Sequence, residues 1–141
     1  MKLDLPTDVR RVHSMVIPMR WGDMDAMGHI NNTLYFRYME IARLQWFGEL
    51  GLPANPQGLG PVIANAFCNF IRQLEYPGDV LVDTFVGAMG RSSFDTYHTL
   101  RRTDAPDTVS ANGGATVVWV DFPAQRSVPV PQDVCALIIG A

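Results

Sequence analysis

Residues 33–50, TLYFRYMEIARLQWFGEL, limit what this chain can fold into more than any other stretch. They contain no proline, no glycine before Gly48, and many strong helix formers, so they predict one long helix. The apolar positions, from Leu34, Tyr35 and Phe36 through Tyr38, Met39, Ile41, Ala42 and Leu44 to Trp46, Phe47 and Leu50, spread well beyond a single stripe. Such a helix is expected to be buried on most sides. Arg37, Glu40 and Arg43, at i, i+3 and i+6, leave one narrow polar seam with the spacing of an ordinary surface ion pair. Asn31 and Asn32 stand where an N-cap belongs, and Gly51 with Pro53 supplies the stop.

The remainder reads as strand. Residues 13–21 have β-branched and apolar content, with Pro18 placing them near an edge or a bulge. After a Gly/Pro-rich loop, strands are expected over 62–75, 79–89, 93–102 and 109–122, separated by the turn sequences YPGD, GRSS and DAPD. Gly113-Gly114 suggests a bulge or the close approach of another backbone. A short helix is expected from Pro131 onward. No repeat or dividing linker interrupts residues 1–141, so one α+β domain is expected, its antiparallel sheet curling around one long central helix.

Charge and cysteine content narrow the function classes. A formal net charge of −3 leaves no general basic face for nucleic acid, whose phosphates dominate its binding. No apolar run approaches the roughly 18 residues of a membrane span. The opening MKLDLPTDVRRVHS lacks the basic-then-apolar order of a secretory signal, which makes the cytoplasm the expected location. Cys68 and Cys135 lie far apart without a C-x-x-C partner, as core or surface thiols do rather than a disulfide or zinc framework.

Between the first strand and the helix lies WGDMDAMGHINNTLYF, residues 21–36, dense in polar side chains. Asp23, Asp25 and Gly28 imitate the opening of an EF-hand loop, but Met27 and Leu34 stand where two oxygen ligands belong. Asp23, Asp25 and His29 find no further His or Cys nearby to complete a zinc or iron centre. A G-x-S-x-G nucleophile elbow is absent from the sequence. Two readings stay open. In one, the stretch is a capped polar turn in which Gly28 takes a positive φ. In the other, Asp25, set among Met24, Ala26 and Met27, has a raised pKa or a specific partner and serves as a base or nucleophile, while free N–H groups at the helix start hold an oxyanion.

The segment DMDAMGHINNTLYFRYMEIAR, residues 23–43, resembles the D-x-D-x-x-G-H-[VI]-N-N-x-x-Y-x-x-x-x-E-x-A-R signature of hotdog-fold acyl-CoA thioesterases, in particular the 4-hydroxybenzoyl-CoA thioesterase-like branch. The resemblance implies a five- or six-stranded antiparallel sheet around one central helix. It also implies homodimers, often paired into homotetramers, with active sites at subunit interfaces. Carried over by position, Asp25 is the catalytic carboxylate, as nucleophile or general base, and the amide polarising the thioester carbonyl falls at Asn32. His29 and Asn31 complete the matched segment, with roles in orientation and capping. Arg91 and Ser92, in GRSS, match a region where relatives contact coenzyme A. Glu40 matches a motif glutamate. Some related branches carry histidine at the position of Asn32, and the plant acyl-carrier-protein thioesterases carry asparagine at that of Met27, so roles assigned to those residues do not transfer.

The expected function is hydrolysis of an acyl-CoA to free acid and coenzyme A without metal or redox cofactor. A non-catalytic hotdog dimer that binds an acyl thioester or aromatic ligand is the alternative from another class. A thioesterase acting on acyl carrier protein is the third. The acyl group is not specified by the sequence, because periodicity in so apolar a helix does not assign the faces of Tyr35, Phe36 and Met39.

Overall fold

The computed structural model describes residues 3–52 and 55–140. The chain runs β1 (Arg10–Pro18), α1 (Asn32–Glu49), β2 (Leu59–Phe70), β3 (Asp79–Met89), β4 (Ser93–Arg102), β5 (Val109–Asp121), a two-residue β6 (Arg126–Ser127) and α2 (Gln132–Gly140). Five strands form an antiparallel path in the order β1-β3-β4-β5-β2, and β6 pairs with β5. Among the described residues no helix is long and apolar enough to cross a membrane.

Both strands flanking α1 in sequence sit at sheet edges. Pro18 ends the edge strand β1, where it removes no ladder bond from an interior strand, and β1 also carries a register shift between Arg11 and His13. β3 and β4 have the expected bounds, whereas β2 stops at Phe70 instead of continuing to Glu75. Residues 71–74 leave the ladder as the Ile71 and Arg72 N–H groups both donate to Ser110 O, at 3.0 and 2.9 Å, and Leu74 turns into the core. Gly113 and Gly114 serve close approach rather than a bulge, since both keep regular pairing with β2 and β4. A Cβ at Gly113 would run into Phe67 O and come within 3.1 Å of Met39 Sδ, so its absence lets α1 settle on the sheet.

Eighteen residues long, α1 lays Tyr35, Tyr38, Met39, Ala42, Arg43, Trp46 and Phe47 inward. That spacing of three and four is one stripe, so the helix is not buried on most sides as its composition predicts. Phe36 and Leu44 stay 37% and 60% exposed, because the sheet of a single chain reaches only one flank of the helix. The polar seam is also corrected. Arg37 Nε and Glu40 Oε1 pair at 3.3 Å on the surface, but Arg43 turns inward and is only 7% exposed. The helix ends through Leu52 N–H donating to Phe47 O at 2.9 Å and Gly51 at φ 77°, while the expected contribution of Pro53 lies outside the described residues.

One transverse row of the sheet under α1 is unusually polar. His13, Thr84, His98, Gly113 and Cys68 are successive partners across β1, β3, β4, β5 and β2. His13 ties β1 to the helix, with Nε2 2.8 Å from Gln45 Oε1 and Nδ1 3.2 Å from Glu49 Oε2. His98 is fully buried, with Nδ1 3.1 Å from Thr84 Oγ1 and Nε2 without a partner among the described residues. Burial drives its pKa from 6.5 down to about 3, and the nearby charges of Arg43 and His13 push the same way.

A neutral imidazole held this way makes the fold acid-sensitive. The unfolded chain binds a proton at His98 near pH 6.5, while the folded chain resists it to about pH 3. Its contribution to stability is therefore whole above pH 6.5 and is lost as the pH falls through that window. Urea unfolding at a series of pH values is expected to show a midpoint that drops on acidification, and a His98→Asn variant is expected to show a shallower drop.

Candidate active site

The polar stretch before α1 folds as a small closed loop. A single 3-10 turn, Trp21–Asp23, opens it, and an antiparallel bridge between Met24 and Ile30 closes its neck. Asp23 is structural. Its Oδ2 accepts from the Tyr38 hydroxyl at 2.7 Å and from Arg20 N–H at 3.1 Å, and its carbonyl accepts Asn31 N–H at 2.9 Å. Burial, with the Asp23 hydrogen bond and charge behind it, raises the Tyr38 pKa and keeps the phenol a donor.

Asp25 sits in the tip of this loop. Its N–H donates to His29 O at 2.8 Å, its carbonyl accepts Gly28 N–H at 3.0 Å, and its Oδ1 accepts Met27 N–H at 2.9 Å. Gly28, at φ 79°, supplies the left-handed residue that the turn needs. The side chain is exposed, so the apolar setting implied by its methionine neighbours is not found; the carboxylate has the specific partner instead. The local bonds are those of the capped polar turn, with Gly28 at a positive φ. Oδ1 completes an Asx turn, and Oδ2 is left without a partner among the described residues.

Three polar groups of Asn31 fasten the helix start. Its Oδ1 accepts from Thr33 N–H at 2.9 Å and from Thr33 Oγ1 at 2.8 Å, its carbonyl accepts Leu34 N–H at 2.9 Å, and its own N–H is held by Asp23. That leaves the Asn32 N–H without an acceptor among the described residues, at the positive end of an 18-residue helix.

Asp25, His29 and Asn32 line one cleft of about 430 Å³, together with Tyr35, Phe70 and Arg72. The far wall is brought in by the segment after β2. Leu74 N–H donates to the Tyr35 hydroxyl at 2.9 Å, Ile30 N–H donates to Leu74 O at 2.8 Å, and the Phe70 ring meets Tyr35 edge-on at 4.9 Å. Burial raises the Tyr35 pKa; the Leu74 N–H works against it, and the charges of Cys68 and Asp25 add to the rise. The phenol thus keeps its proton and can donate to an acceptor in the cleft. His29 Nε2 lies 3.1 Å from Glu75 Oε1, which orients the imidazole at the rim.

Other expected site residues stand apart. Asn31 serves the cap and does not line the cleft. Arg91 and Ser92 lie in the β3–β4 turn, held by backbone bonds from Val130 and Trp119 at 2.9 and 2.8 Å. The cleft is at the opposite end of β3, where Met19 N–H meets Gly78 O, roughly 30 Å away for a strand of this length. Burial pushes the Cys68 thiol up to about 12, so it is no nucleophile. Among the described residues no three His, Cys, Asp or Glu side chains could hold a metal ion. Phe70 and Arg72 escaped the sequence reading because they come from a segment some forty residues away, whose inward turn has no local motif.

The family model described as "Thioesterase-like superfamily" matches residues 19–138, which includes the whole loop, α1 and the sheet beyond it. The chain belongs to the thioesterase-like superfamily. Among solved structures it is similar to the PA2801 protein of Pseudomonas aeruginosa, a candidate thioesterase, at 38% identity, covering 92% of this chain and 99% of that one with a TM-score of 0.86. A candidate acyl-CoA thioesterase from Xanthomonas campestris is 33% identical over 86% of this chain and 100% of that one, at a TM-score of 0.76. The BH1999 gentisyl-coenzyme A thioesterase is 25% identical over 89% of this chain and 98% of its own, at 0.79. These neighbours and the superfamily match make this a hotdog-type thioesterase fold.

Because Asn31 caps the helix, Asn31→Ala is expected to lower stability by about 1 kcal/mol in urea unfolding. Asn31→Asp, which keeps the accepting oxygen, is expected to retain most of it.

Proposed function

We propose that this protein hydrolyses an acyl-CoA thioester to the free acid and coenzyme A, with Asp25 as the reacting carboxylate. The observation that carries this reading is the meeting, in one cleft, of an Asp25 oxygen and the Asn32 amide, neither with a partner among the described residues. The thioester carbonyl oxygen is placed at the Asn32 N–H, where the helix dipole favours the negative charge that develops during attack. With Asp25 as general base, its carboxylate takes a proton from water as the water oxygen bonds to the carbonyl carbon. The tetrahedral oxyanion collapses, the C–S bond breaks, and the leaving thiolate recovers the proton. With Asp25 as nucleophile, an acyl–Asp25 anhydride forms first, coenzyme A leaves, and water hydrolyses the anhydride. His29 and the Tyr35 hydroxyl orient the acyl-CoA, and Arg72 adds positive charge at the rim.

The working unit in this proposal is a pair of copies, further paired into a tetramer, acting in the cytoplasm. Support comes from the twelve-residue edge strand β2, whose outer side has no partner strand among the described residues, and from the exposed Phe36, Leu44 and Ile63 beside it. A long uncovered edge strand is a pairing surface. A second copy over this face would cover the outer flank of α1 and make it the central helix expected of the hotdog arrangement. It also allows Arg91 and Ser92 of one copy to meet coenzyme A bound at another, which the distance within one chain disfavours.

Asp25→Asn and Asp25→Ala are expected to cut free-thiol release from acyl-CoA by about 10²-fold or more while the unfolding curve keeps its cooperative shape. A folded Asp25→Ala variant with undiminished activity would sink the mechanism. Single turnover in ¹⁸O-water tests the nucleophilic form, since label in the Asp25 carboxylate arises only from an anhydride that water opens at the aspartyl carbon.

A further inference from the structure

A second groove, of about 310 Å³, opens along α1 next to the cleft, between the helix and the inner side of β2 and β5. Phe36, Met39, Ile63 and Ala66 make its walls apolar, and Arg43 lies at its inner end. The Phe36 and Phe70 rings, 6.4 Å apart, stand between groove and cleft, so the two spaces adjoin.

Arg43 is the anomaly. It is 93% buried, yet its guanidinium makes no hydrogen bond or ion pair among the described residues. Its acidic neighbour Glu40 is engaged by Arg37 at 3.3 Å and favours the Arg43 cation only through its charge, without contacting it, while His98 behind it is held neutral. Arg37, Glu40 and Arg43 together leave one net positive charge on an otherwise greasy groove. An arginine offers five donors in a planar fork suited to a carboxylate, and those of Arg43 have no protein partner among the described residues while the residue lines the groove. Such a groove suits a ligand that is apolar along its length and anionic at its far end.

We propose that this groove holds the acyl group of the substrate and that Arg43 binds a carboxylate at its distal end, which makes the preferred substrate an ω-carboxyacyl thioester. The proposal rests on the thioesterase reading above. From Asn32 to Arg43 the helix rises about 16 Å, and an arginine side chain leans back toward the helix N-terminus. The span left for the acyl chain is on the order of 10 Å, that of a medium-length diacid.

The test compares octanedioyl-CoA with octanoyl-CoA on the wild-type protein and on Arg43→Met and Arg43→Lys. Wild type is expected to favour the ω-carboxy substrate by tenfold or more in kcat/KM, mainly through KM. Arg43→Met is expected to erase that preference and Arg43→Lys to restore part of it. In parallel, free octanedioate is expected to raise the wild-type unfolding temperature more than octanoate does, and Arg43→Met to lose the difference. Equal kcat/KM for the two thioesters in wild type overturns the proposal. So does an Arg43→Met variant that falls apart into smaller species and loses both substrates alike, the result expected if a carboxylate of a second copy occupies Arg43. Stabilisation by octanedioate without hydrolysis of any thioester would sink the thioesterase reading and leave the anion site standing.

Discussion

Asn31 joins the two halves of the site. Its N–H closes the loop on Asp23, its carbonyl takes the Leu34 amide and its side-chain oxygen takes the Thr33 amide. Because those amides are occupied, the Asn32 N–H is the one left to face the cleft. Because the loop is closed at Asp23, the tip that carries Asp25 comes back over the same helix end. Tyr38, anchored to Asp23 at 2.7 Å, ties this assembly to the buried stripe of α1. A change in that stripe would be felt at the loop, whose Ile30 and Met24 pack into the same core cluster as Tyr35, Tyr38 and Met39.

The helix then has two unequal flanks. One is fixed by Met39 over Gly113 and by the polar row from His13 to Cys68. The other carries Phe36, Leu44 and the groove that ends at Arg43. A neutral His98 next to a cationic Arg43 is sustainable because burial already discourages the imidazolium. Proton uptake there would set two like charges together under the helix, which is why acidification is expected to weaken the fold.

Much of this was legible in the sequence. The long helix, its Asn31 cap and the bounds of β3 and β4 follow from local chemistry: helix formers without breakers, a short polar side chain before them, and turn residues between alternating strands. Asp25, His29 and Asn32 share a cleft because they are close in sequence. What depends on distant segments was hidden. The inward turn of residues 71–74, which brings Phe70 and Arg72 to the site, is set by Ser110 on another strand. The direction of Arg43 could not be read from its i+3 spacing to Glu40, since the same spacing fits a surface pair and a helix whose sheet reaches under one flank. Composition alone overestimated the burial of α1, because it does not say that the sheet of the chain reaches only one flank of the helix.

The most direct measurement of the central claim is free-thiol release by the wild-type protein across a broad acyl-CoA panel, aliphatic, aromatic and ω-carboxylated, with binding followed in parallel. Thiol should appear in step with free acid for at least one acyl class, and turnover should saturate with substrate. Tight binding of acyl-CoA with no thiol released anywhere on the panel would contradict the enzymatic reading and leave a binding protein of the same fold.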